Sequence, residues 1–103
     1  MTPSELCFHL RRRRRLYLPD DRFASAVAFV EGYNAASDGK ALESFGPYVS
    51  QRLTGHHSPQ HWSFLIASTR APDVRLDRIP AELDGELTDL LVDLLEAWVT
   101  SRP

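Results

Sequence analysis

Cysteine, glycine-rich loops, strand signals and long apolar runs are what this chain has least of. Cys7 is the only cysteine, so no internal disulfide can form and a reducing compartment is the simplest setting. Met1 leads into Thr2, Pro3, Ser4 and Glu5 with no apolar core of signal-peptide length behind it, and the chain is expected to be cytoplasmic. The longest apolar-looking stretch, Leu87 to Val99, is interrupted by Asp89, Asp93 and Glu96, so no membrane-spanning segment is expected. One short alternating piece, Val74 to Ile79, is too isolated to build a sheet. No glycine-rich loop precedes a helix to cradle phosphate, and no serine sits in a glycine-rich elbow. No internal repeat is visible.

What is present is an ordinary globular composition with an uneven charge layout. The 103 residues fit one domain, here 1–103, and 43% hydrophobic with 25% charged residues marks a folded protein instead of a disordered one. The formal net charge is only -2, which argues against a generic binder of polyanions. Yet Arg11, Arg12, Arg13, Arg14 and Arg15 stand together near one end, while Asp73 to Glu96 holds eight carboxylates against Arg75 and Arg78.

Helix punctuation recurs along the chain. A first helix starting at Thr2 or Ser4 tolerates Pro3 in its first turn and runs through Leu6 and Leu10 into the arginines. Leu16 to Pro19 reads as extended, because a residue before proline is pushed out of the helical region. Asp20 or Asp21 can cap a second helix carrying Phe23, Val27, Val30 and Tyr33 on one face and ending at Ser37-Asp38-Gly39. Ala41 to Leu53 carries Leu42, Phe45, Val49 and Leu53, with a kink or restart expected at Gly46-Pro47. Ser58-Pro59 signals the start of a helix led by Trp62 and ended by Ala71-Pro72. The last helix has the widest apolar arc, from Leu83 through Leu87, Leu91 and Leu95 to Trp98. These features predict an all-α, single-domain bundle of about five helices with the last one central.

Two charged features are the candidate sites. Glu82, Glu86, Asp89, Asp93 and Glu96 step by four, three, four and three residues, which lines them along one face of the last helix. No cation stands at an i+4 position to neutralise them. Such a row suits docking onto a basic partner, such as a toxin or effector domain; it equally suits solubility and pairing with Arg11 to Arg15. The arginine run is either a basic contact for an acidic groove or phosphates, or a helix end whose charge complements the helix dipole and the last helix. The overall charge balance argues against nucleic acid.

Other candidates carry less. His56, His57 and His61 include a four-residue spacing, but no glutamate follows the first histidine, and further metal ligands would have to come from Cys7, His9 or distant carboxylates. Cys7 and His9 are too close on one helix to work as a nucleophile pair, and Cys7 reads as a small core residue. No catalytic residue, cofactor or metal is expected. Phe23, Phe45, Trp62 and Trp98 read as core, whereas Tyr17, Tyr33 and Tyr48 could be core or interface.

The order of features resembles a group of small bacterial immunity-type proteins encoded beside polymorphic and Rhs-type toxins. The matching residues are Arg13 with Leu16-Tyr17-Leu18, Phe29 with Gly32-Tyr33, Phe45 with Tyr48-Val49 and Arg52, Trp62, and Leu90 to Trp98. Arg14, Leu16, Pro19 and Tyr48 replace the proline, methionine, glycine and tryptophan of the group's pattern. The resemblance implies a non-catalytic protein that neutralises a cognate toxin by occluding it. The alternatives are a small nucleic-acid-associated regulator using the arginine run, and a self-associating subunit, a homodimer pairing basic end with acidic helix.

Overall fold

Six α-helices and one 3-10 turn, Leu76–Arg78, make up the computed structural model, which describes residues 1–102. The helices are α1 (Pro3–Arg12), α2 (Arg14–Tyr17), α3 (Phe23–Ala35), α4 (Phe45–Thr54), α5 (Trp62–Ser68) and α6 (Ala81–Ser101). No strand occurs among the described residues, so the expected all-α class is the one observed. No helix among them is long and apolar enough to cross a membrane.

α1 starts as its sequence dictates. The Thr2 hydroxyl accepts from Glu5 N at 3.1 Å while the Glu5 carboxylate accepts from Thr2 N at 2.8 Å, so two otherwise orphaned donors are satisfied reciprocally. The helix breaks at Arg13 (φ -132, ψ 32) and restarts as the single turn α2. Leu16 and Tyr17 are therefore helical, not extended as expected. Only Leu18 (φ -109, ψ 138) obeys the restriction imposed by Pro19.

α3 is capped from a distance. Asp20 accepts from Arg22 N and Ser25 Oγ at 2.9 and 2.7 Å, which orders the approach. The first helical N–H, that of Phe23, donates to Asp84 Oδ1 of α6 at 2.9 Å. Asp84 is buried, and a carboxylate at a helix N-terminus meets both the orphan donors and the dipole's positive end.

The third and fourth segments start later than their signals suggest. α4 begins at Phe45, so Pro47 lies in its first turn, where a missing N–H breaks no helical bond; the expected kink or restart is a restart. Gly55 ends the helix in the left-handed region (φ 79). α5 begins at Trp62, not at Ser58-Pro59, and its cap is the His61 imidazole, which accepts from Ser63 N at 3.1 Å.

α6 touches α1, α3, α4 and α5, which makes it the central helix. Leu87, Leu91, Val92 and Leu95 are fully sealed, and Phe45 meets Trp62 and Trp98 edge-on with centroids 5.4 and 5.6 Å apart. Each indole has a partner for its N–H: Trp98 donates to Ser44 Oγ and Trp62 to Glu31 Oε1, both at 3.0 Å. Among the described residues, two buried side-chain polar atoms, Thr88 Oγ1 and His9 Nδ1, have no hydrogen-bond partner.

Candidate functional site

Because α1 packs along α6, the arginine run lies over the acidic row. Arg11 Nη2 donates to Asp93 Oδ1 at 2.6 Å and to Glu96 Oε1 at 2.7 Å. Arg14 Nη2 donates to Asp89 at 2.9 Å, while its Nε donates to the Leu10 carbonyl at 2.9 Å. Arg70, just past α5, holds Glu86 at 2.9 Å. Of the five carboxylates named from sequence, only Glu82 has no ion-pair partner among the described residues. The uncompensated stripe read from α6 alone is thus largely compensated by cations from elsewhere in the chain. The hydrogen bonds that Arg11 donates to Glu96 and Asp93, in that order, hold its guanidinium pKa above the ordinary range.

The break at Arg13 divides the run. Arg11 and Arg14 turn towards α6, whereas Arg12, Arg13 and Arg15 have no carboxylate partner among the described residues. All five arginines, with Leu16, Asp21 and Asp89, line an open hollow of about 590 Å³. The hollow keeps a positive excess through Arg12, Arg13 and Arg15, because Arg11 and Arg14 are already paired with Asp93, Glu96 and Asp89.

Large apolar side chains remain exposed beside it. Phe8 is 48% accessible, Leu16 73% and Tyr17 40%. Phe8 lies two residues from both Leu6 and Leu10, about 200° round the helix, so it must face away when those leucines face the core. The Arg13 guanidinium sits over its ring at 5.5 Å. Tyr17 leans on His9 at 4.5 Å and on Phe29 at 5.5 Å, and these rings pin α2 across α1 and α3. Sequence reasoning passed over Phe8, although its position opposite Leu6 and Leu10 was the available signal. The other open tyrosines find local roles: Tyr33 donates to the Met1 carbonyl at 2.9 Å, and Tyr48 accepts from Arg52 at 2.6 Å.

His56, His57 and His61 fall in a loop and at a helix cap, and Cys7 is buried. His56 and His57 lie exposed in the loop after α4, and no three His, Cys, Asp or Glu side chains among the described residues come together as a metal would need. His61 stands between Ser63 Oγ (2.7 Å from Nδ1) and Glu31 (3.2 Å from Nε2), the outline of a serine–histidine–carboxylate relay. However, Ser63 is only 4% accessible, and Nδ1 also accepts the Ser63 backbone N–H, so this group is a helix cap. Burial pushes the Cys7 thiol up to about 11, which leaves little thiolate at neutral pH. No protein-family model matches the chain, and no curated protein or solved structure shows significant similarity to it.

Proposed function

We propose that this chain is a non-catalytic protein-binding module of the immunity type, which neutralises a cognate bacterial toxin by covering it. One observation carries the reading. Phe8, Leu16 and Tyr17 stay exposed on α1 and α2, whose tract also holds three arginines without an ion-pair partner among the described residues. Arginine and aromatic side chains with a desolvable apolar anchor are the composition of interface hot spots. The row Glu82, Glu86, Asp89, Asp93 and Glu96 adds little to this surface, since Arg11, Arg14 and Arg70 already hold four of its five carboxylates.

The test is co-expression with the product of the adjacent reading frame in a bacterial host. Growth protection together with co-elution of the two chains is the expected result. Growth arrest with no complex, at equal expression, would refute the immunity reading.

A further inference from the structure

We propose that the face formed by α1 and α2 docks an acidic protein segment carrying an apolar anchor, with Arg12, Arg13 and Arg15 as its carboxylate contacts and Leu16 and Phe8 as its apolar ones. This rests on the reading of the chain as a protein-binding module and names the chemistry of what it binds.

The face carries unpaired positive charge. Of the five arginines lining the hollow, Arg11 and Arg14 are held by α6 and form fixed walls, and the other three have no carboxylate of the described chain to satisfy them. Every basic residue except Lys40 is arginine. A guanidinium is more weakly hydrated than an ammonium and grips carboxylates in two-pronged fashion, so it suits an interface that excludes water. Arg12 lies in the last turn of α1, where the helix dipole favours positive charge.

The face also exposes apolar area. Leu16, at 73% accessible, is the most exposed large apolar side chain of the chain's described part, and it lines the same hollow as the arginines. Phe8 joins the patch through Arg13, whose guanidinium covers its ring. A partner that neutralised the arginines without covering Leu16 would leave that area in water, so the occupant must offer an apolar group beside its carboxylates.

The aromatic rings and the apolar anchor favour a protein over a nucleic acid. Single strands bind through open aromatic faces on which bases stack. Here Arg13 takes one face of Phe8 and Tyr17 leans on His9 and Phe29, so these half-exposed rings offer no run of open faces on which successive bases could stack. Asp21 and Asp89 also line the hollow and repel any anion, and a phosphate backbone offers nothing to cover Leu16, whereas a peptide can pair its carboxylates with the arginines and lay an apolar side chain on Leu16. The observations favour the protein.

The experiment uses the full chain, a labelled peptide alternating glutamate with leucine and tryptophan, and a labelled single-stranded DNA oligonucleotide. Fluorescence anisotropy should show the peptide binding more tightly than the oligonucleotide, with affinity falling as salt rises. The triple variant Arg12→Gln, Arg13→Gln, Arg15→Gln and the single variant Leu16→Asp should each weaken peptide binding by at least about tenfold. Circular dichroism and melting should stay unchanged, since none of these side chains carries an ion pair or core contact. Failure of the peptide to bind, tighter binding of the oligonucleotide, or indifference to Leu16→Asp would each overturn the proposal. The same variants in the co-expression assay keep it distinct from the broader function. Protection by wild type and variants alike refutes this face and leaves the immunity reading standing. Peptide binding through this face without protection refutes the immunity reading and leaves the face.

Discussion

Replacing Asp84 by alanine should destabilise the protein by about 2 kcal/mol, although the residue is remote from the candidate docking face. The Asp84 carboxylate accepts the Phe23 N–H at 2.9 Å in a buried setting, where no water can take its place. Losing a side-chain cap costs about 1 kcal/mol. Leaving a buried donor without a partner costs roughly 1–3 kcal/mol. These costs overlap, since the orphaned donor is the capped one, and alanine's better helix propensity within α6 returns about 0.5 kcal/mol. At roughly 4–8 °C per kcal/mol for a domain of this size, melting should fall by about 8–16 °C. Urea titration followed at 222 nm should show a lower midpoint at an unchanged slope. Asp84→Asn keeps a carbonyl oxygen at the same position, so it should recover about half of the loss. An alanine variant within about 0.5 kcal/mol of wild type, or an asparagine variant no better than alanine, would refute the idea that α6 caps α3.

Three further outcomes follow from the geometry. Arg11→Ala should cost about 1 kcal/mol at low salt, because Asp93 and Glu96 lose their shared cation, and the difference should shrink in 1 M salt, measured as paired urea curves (the salt level marking roughly a 3 Å screening length). The Cys7 thiol is raised from about 9 to about 11 in the folded state, so the stability it contributes is complete below pH 9 and lost between 9 and 11. Denaturation curves across that window should slope less for Cys7→Ala than for wild type, and the native thiol should react with disulfide reagents far more slowly than the unfolded one. Gly55→Ala should cost roughly 1 kcal/mol, since φ 79 places a side chain in the left-handed region; a neutral result by thermal melt would show that the loop relaxes.

The helical class was readable because apolar spacing and caps repeat along the chain, and α6 as the centre followed from its leucines and Trp98. Boundaries slipped where a tertiary contact outweighed a local signal. Ser58-Pro59 is a proper start signal, yet Ser50 Oγ and Thr54 Oγ1 donate to the His56 carbonyl and hold that loop back, so the helix waits for the His61 cap. Asp84 was invisible as a cap, for its target lies 61 residues away and no spacing rule reaches so far. The acidic row was found correctly as a row; its ion pairs could be listed only as one alternative, because they depend on how α1 lies across α6. The exposure of Leu16 depended on α2 being a turn of helix instead of an extended strand, a difference that Pro19 alone does not decide.

The interruption at Arg13 makes the number of arginines matter as much as their charge. Five identical side chains offer no chemical difference between positions, so only counting distinguishes the ones that clasp α6 from the ones that look outward. Deleting any single arginine would remove one charge of five but turn Tyr17 about 100° round its helical turn, out of register with His9 and Phe29. Length variation in this tract should therefore be far less tolerated than substitution at its outward members.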